Sequence, residues 1–319
     1  MRTVLVGEYI KSHREKQGIT QEELCAGICS KSTLSRLERG KQTPGRDKLY
    51  ALLHRLGLPE DRVFAVVSEH DVEIWQLKKD IQASVIEFEK ANGETRLRLW
   101  ERVAAELKRL EEITDEDDVI NRQYILSTQV TLGTSDGPYT PAQRRRLLEK
   151  AIRMTVPGFQ LAKVESFRYR LEEMTLLNKL ARTFSMEGKR EEATDLYSRL
   201  LLNIENNSCE MEDYGGIFCL IAYNYAINLT LEGRYQEALN LAERGQKTSV
   251  QYRDYLFLPG FLATQAECKF FMGDREKSTS LYIQAGYLYK ILGNERDIET
   301  LRKEMREHLQ IDLPFFNQV

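Results

Sequence analysis

The sequence predicts an all-α protein in which five short N-terminal helices precede a connecting helix and a long array of helical hairpins. Three observations carry this expectation. Apolar residues recur at spacings of three and four along the chain, and no stretch alternates as a half-buried strand would. Helix caps and helix stops follow one another closely at the N-terminal end. Further on, Gly188, Gly233 and Gly273 anchor a repeated pattern of small residues, the mark of stacked supersecondary units.

The first helix is read over 7–17, with Tyr9, Ile10 and the stem of Arg14 near one side and Gly18 as its stop. Thr20 is suited to cap the second helix, and Glu23 three positions later completes a capping box. That helix ends near Gly27. A short connection, Ile28-Cys29-Ser30, leads to a third helix beginning at Lys31 and closed by Gly40. Leu34 and Leu37 lie one turn apart and face a core, which leaves Lys31, Ser32, Ser35 and Arg36 on the opposite face. Pro44 breaks the chain, a fourth helix covers 47–56, and Pro59 sits where prolines open a fifth.

A tight turn between the second and third of five short helices describes a helix-turn-helix unit. The segment from Thr20-Gln21-Glu22-Glu23-Leu24 to Ser32-Thr33-Leu34-Ser35-Arg36-Leu37-Glu38-Arg39-Gly40-Lys41 closely resembles the Cro/cI-like (XRE) family. The resemblance implies that the third helix enters the major groove while the second braces across the backbone. It places Gln21 and Lys41 on phosphates and Lys31, Ser32 and Arg36 toward base edges, with Ser35 on the same face. An arginine there can donate two hydrogen bonds to guanine, and lysines add salt-dependent affinity blind to sequence. From Ile28 to Leu37 the chain is one residue shorter than is usual for phage repressors, which leaves base-by-base assignment open.

Between 71 and 91, Val72, Trp75, Ile81, Val85 and Phe88 mark a connecting helix, stopped at Asn92-Gly93. A dimer partner and the chain's own repeats are equally acceptable surfaces for it. Helices are read next at 97–113, 119–132, 141–154 and 164–184, with breaks at 133–137 and Pro157-Gly158. Ala181, Ala226 and Ala266 precede the three register glycines by seven positions. Ala193, Ala238 and Ser278 follow by five, and Tyr197, Ala242 and Tyr282 by nine. Small residues let antiparallel helices approach, glycine turns between them, and aromatics fill the gap to the next hairpin. Pro259-Gly260 opens the first helix of the third hairpin, and 297–309 caps the array, whose outer face must be polar.

This pattern resembles a degenerate tetratricopeptide (TPR) repeat, which implies a right-handed helical superhelix with a groove lined by the first helix of each hairpin. Thr175, Asn178, Arg182 and Ser185 take groove positions in one hairpin, and Tyr223 and Asn224 in the next. An asparagine carries a donor and an acceptor and can bond a peptide backbone whatever its side chains. On periodicity alone, both asparagines also read as satisfied helix-surface amides. The organisation expected is therefore a DNA-binding domain at 1–67, a linker helix at 68–92 and a repeat sensor at 93–319.

Composition narrows the function. The formal net charge of −3 divides unevenly: residues 1–65 carry twelve Lys and Arg against eight Asp and Glu, or +4, leaving −3 − 4 = −7 elsewhere. A basic segment on an acidic protein suits a localised nucleic-acid contact. No apolar run approaches a membrane span and no secretory leader is evident. The five cysteines lack a CxxC pair and suggest reduced thiols in a cytoplasm, with Cys25 and Cys29 read as small buried residues. Four scattered histidines offer no zinc cluster, so no metal and no cofactor is expected. Without a phosphate-binding loop, a serine-nucleophile elbow or a zinc-protease motif, an enzyme is not expected either.

Taken together, an XRE-type reader ahead of degenerate TPR repeats resembles the RNPP family of peptide-sensing regulators over nearly the whole chain. The short turn before Ser30 is similar to that of the family, and Asn178 and Asn224 fall where peptide-contacting asparagines fall in it. Thr264 departs from the family pattern, which implies a different peptide preference. The resemblance implies a homodimer, a palindromic double-stranded DNA operator, and a short signalling peptide, secreted and re-imported, as in quorum sensing. A protein partner held by the repeats instead of a peptide is the other reading open at this point.

Overall fold

A computed structural model describes residues 6–42, 44–58, 69–91, 93–133, 139–207 and 213–311, and among these every regular element is helical. The elements are α1 (Val6–Lys16), α2 (Gln21–Cys25), α3 (Lys31–Glu38), α4 (Arg46–Arg55), α5 (Glu69–Lys90), α6 (Gly93–Ile113), α7 (Val119–Leu132), α8 (Pro141–Thr155), a 3-10 turn (Leu161–Ser166), α9 (Leu171–Met186), α10 (Arg190–Asn207), α11 (Asp213–Leu231), α12 (Tyr235–Tyr252), α13 (Leu258–Phe271), α14 (Arg275–Ile291) and α15 (Glu295–Leu309). The chain divides into two compact units. One holds 1–86, 98–180 and 205–211, and the other holds 87–97, 181–204 and 212–319.

In the first unit, α1 to α4 surround a core of Ile10, Leu24, Leu34, Leu37, Leu49, Leu52, Leu53 and Leu56. The capping box read from the sequence is in place. Thr20 accepts from the Glu23 amide while the Glu23 carboxylate accepts from the Thr20 N–H, and Ser30 caps α3 through the Thr33 amide. The helix expected to open at Pro59 lies outside the described residues. Ile120 of α7 joins the core of α1–α4, so this bundle packs on α7 as well as on itself.

Two expectations are corrected. The buried stripe of α5 consists of Ile74, Leu77, Ile81, Ser84 and Phe88, while Val72 and Trp75 are exposed. Trp75 instead lies against the Arg46 guanidinium at 4.8 Å, so its ring serves a cation and not a core. The single helix expected over 164–184 is two elements. Arg170 N–H donates to the Glu173 carboxylate, which fixes the start of α9, and Phe167 and Tyr169 leave the helical path to pack with each other at 6.0 Å.

The second unit holds the hairpin series. Gly188, Gly233 and Gly273 have φ of 79°, 75° and 91°, left-handed values that explain why glycine recurs at the hairpin turn. Ala181, Ala226 and Ala266 are fully buried, as are Ala193, Ala238 and Ser278. Tyr197 and Tyr282 fill the space between hairpins, and Tyr197 stacks on Tyr225 at 5.7 Å. α11 packs on α12, α12 on α13, α13 on α14 and α14 on α15, an order in which each helix buries its apolar face against the next.

Candidate nucleic-acid interface and repeat groove

Leu34 and Leu37 turn into the core and leave Lys31, Ser32 and Arg36 exposed on α3, with Ser35 half-buried beside them. Lys41 is exposed just beyond the helix. Lys31 pairs with Glu22 of α2, whose carboxyl is held below its usual range first by that hydrogen bond. Both side chains face solvent, so the pair is easily exchanged for a phosphate. Gln21 is half-buried at the start of α2, and its Nε2 donates to Glu38 Oε2 at 2.7 Å, so its amide braces α2 against α3. Arg39, exposed at the end of α3, is a further cation that periodicity alone did not single out.

Of the positions read as groove-facing, Asn178 belongs to the first unit and is 4% exposed. Arg182, Tyr223 and Asn224 belong to the second. Arg182 is exposed. Asn224 is half-buried, and its Nδ2 donates to the Leu220 carbonyl at 3.0 Å. Tyr223 lies between Phe257 and Phe261, at 5.7 and 5.9 Å, and burial pushes its phenol up to about 12. Thr264 is buried and spends its hydroxyl on the Gly260 carbonyl.

The same unit contains three acidic groups that the sequence reading missed. Burial raises the carboxyls of Glu267 and Asp297, and it raises Glu304 to about 7, helped by Glu267, Glu307 and Asp297. Asp297 and Glu304 lie seven apart on α15, two turns along one face, whereas Glu267 comes from α13 and no spacing along the chain relates it to them.

The sequence matches the helix-turn-helix family over residues 10–63 and the RNPP family C-terminal domain over residues 159–309. The chain carries an RNPP-family C-terminal domain behind a helix-turn-helix domain. Solved structures agree at the level of fold. PlcR of Bacillus thuringiensis, in complex with the peptide PapR7 and DNA, aligns with a TM-score of 0.61 at 19% identity, over 94% of this chain and 99% of that one. Its apo form aligns at 0.55 and 18% identity, over 93% and 97%. Apo ComR of Streptococcus vestibularis aligns at 0.52 and 15% identity, over 95% and 97%. No curated protein matches the sequence. The RNPP domain begins just after α8 and ends with α15, so it takes in every hairpin of the glycine register. Among the described residues, no helix is long and apolar enough to cross a membrane, and no group of acidic, thiol and imidazole side chains is placed to hold a metal ion.

Proposed function

We propose that this RNPP-family chain is a cytoplasmic transcription regulator that reads DNA through α3 and is switched by a short signalling peptide bound to its repeats. The observation that carries the reading is the α3 face. Three polar or cationic side chains, Lys31, Ser32 and Arg36, stand exposed on a helix whose other side is locked into a core, with Lys41 exposed just beyond its end, ahead of an RNPP repeat domain. Arg36, Lys31 and Ser32 address base edges, Gln21 and Lys41 address phosphates, and Ser35 supports the same face. Residues 1–67 act as the reader, 68–92 as the linker and 93–319 as the sensor.

In the second unit, Asn224, Arg182 and Tyr223 offer an amide, a cation and an aromatic wall; Asn178, buried on the α9 stretch of the first unit, is assigned to the peptide on resemblance to the family. That chemistry suits an extended peptide main chain. A homodimer on a palindromic operator follows from the two-fold logic of helix-turn-helix readers.

The test has two arms on the full chain. Selection from random duplexes identifies the operator, and short peptides encoded by the host genome are then titrated by calorimetry with and without that DNA. Binding of one peptide with a change in operator affinity is the expected result, weakened at least tenfold by Asn224→Ala. No heat from any peptide, with a stoichiometric protein recovered on the repeats instead, overturns the peptide reading.

A further inference from the structure

A buried polar junction joins the helix-turn-helix bundle to α7, α8 and α9 inside the first unit. Its centre is Arg55, the last residue of α4. Nη1 donates to the Leu24 carbonyl at 3.3 Å and to the Ala26 carbonyl, both at the end of α2. Nη2 donates to the carbonyl of Thr155, the last residue of α8, at 3.2 Å and to Glu173 Oε1 on α9 at 3.1 Å. Glu173 is fully buried and also accepts from Arg170 Nε at 3.0 Å. Arg170 Nη2 reaches Gln123 Oε1 on α7 at 2.8 Å, and Gln123 Nε2 returns to Thr155 Oγ1 at 2.6 Å and the Ala151 carbonyl at 2.8 Å. Burial alone would push the Glu173 carboxyl upward, but Arg170 and Arg55 together hold it below the usual range.

A second observation places the turn before α3 on the same spot. Gly27 has φ of 68°, and a Cβ there would lie 2.1 Å from the Thr155 carbonyl oxygen. The turn that launches the recognition helix therefore rests backbone to backbone on the end of α8, where only glycine fits. None of this covers the reading face, since Lys31, Ser32, Arg36 and Lys41 stay exposed. The junction holds the reader in place and does not occlude it.

Glu173 and Asn178 share α9, less than two turns apart, and Lys179 Nζ ties that stretch to Thr131 Oγ1 of α7 at 2.6 Å. We infer that Arg55, Arg170 and Glu173 are positioning residues that make the reader and the Asn178 stretch of α9 one mechanical piece, so that a displacement of α9 is delivered to the turn before α3. The coupling rests on the DNA reading of α3 and stands whether the repeats take a peptide or a protein.

Hydrogen exchange on the full chain without any ligand tests it. Glu173→Gln deprives a buried arginine pair of its counter-charge, and exchange at 24–28 and 52–56 rises at least tenfold while 34–38 inside the bundle keeps its protection. An apolar triple, Arg55→Met and Arg170→Met with Glu173→Leu, strands no buried charge and restores protection at both segments. Asn178→Trp, which overfills a buried position on α9, loosens 24–28 in the native background and adds nothing in the Glu173→Gln background. The inference is overturned if Glu173→Gln leaves 24–28 unchanged, or if Asn178→Trp acts equally in both backgrounds or in neither. Should Glu173→Gln fail to fold, the apolar triple supplies the second background: its helices stay packed across the junction with no charge stranded, so Asn178→Trp must loosen 24–28 there too, and absence of that effect also overturns the coupling.

Discussion

Arg14 of α1 grips Glu38 of α3 with two hydrogen bonds, Nε to Oε1 at 2.6 Å and Nη2 to Oε2 at 3.0 Å, inside the helix-turn-helix core. Glu38 ends the recognition helix, and Gln21 of α2 donates to the same carboxylate. One acidic side chain thus fixes three helices around the face proposed to read DNA.

Removing one side of that pair strands a buried charge. Glu38→Ala is expected to cost about 3–5 kcal/mol in chemical denaturation, because Arg14 keeps its desolvation cost and loses its partner. The paired replacement Arg14→Met with Glu38→Leu is expected to lie within about 1 kcal/mol of the native protein. A loss in the double variant as large as in the single one would show that the pair stabilises the fold by more than mutual neutralisation.

On the reading face the two kinds of cation separate by their signatures. Arg36→Ala is expected to cost about 1–3 kcal/mol at one operator position and to relax the base preference there. Lys41→Ala weakens all sequences alike and lowers the salt slope of binding by about 1. Affinity measured on the selected operator and its single-base variants, across a salt series, distinguishes them. A uniform loss from Arg36→Ala would move that residue from base to backbone.

The elements of this fold were legible where the chain speaks locally. Thr20 with Glu23 and the glycine register at Gly188, Gly233 and Gly273 each announce a cap or a turn within a few residues, and each is formed. What stayed hidden depends on distance through space. Arg55 and Arg170 look like solvated charges in sequence and Arg14 shows only its stem on the apolar side, yet all three are buried, paired with Glu38 and Glu173. The partners of Arg14 and Arg55 lie 24 and 118 positions away, so no window along the chain reveals them. In α5, apolar residues occupy more than one face, and periodicity could not say that Ile74, Leu77 and Ile81 win the core over Val72 and Trp75. Of the site residues, the outward face of α3 followed from Leu34 and Leu37, whereas the groove positions leaned on resemblance.

Gly245 on α12 marks a close approach that helix propensity would misjudge. A Cβ there would lie 2.2 Å from the ring of Phe261, which is fully buried and edge-on to Tyr223. Alanine gains about 1 kcal/mol as a helix former, but overfilling a packed site costs about 1–3 kcal/mol. Packing wins, and Gly245→Ala is expected to lower the melting temperature. Combining it with Phe261→Leu should return part of the loss. A rise in melting temperature for the single variant would mean that α12 and α13 separate freely at this point.

Glu304 should make stability depend on pH in a direction opposite to that of most carboxylates. Its folded carboxyl sits near 7, raised first by burial and then by Glu267, Glu307 and Asp297, against an ordinary value of 4.5. A raised folded value means that the folded protein holds the proton more tightly than the unfolded chain does. The contribution is therefore fully present below about pH 4.5 and is lost as pH climbs through about 7. Tyr223, Tyr282 and Tyr289 share this neighbourhood, and burial raises each of their phenols, so no neighbouring tyrosine turns anionic in that window to confuse the titration. Glu304→Gln, which keeps the shape and removes the charge, is expected to stabilise the protein by about 1–3 kcal/mol at pH 8 and by nearly nothing at pH 4. Urea midpoints for both proteins across that range check it. Equal midpoints at pH 8 would place a compensating cation beside Glu304, whereas a gap that closes on acidification identifies its carboxylate as the group whose charge α15 buries at a cost.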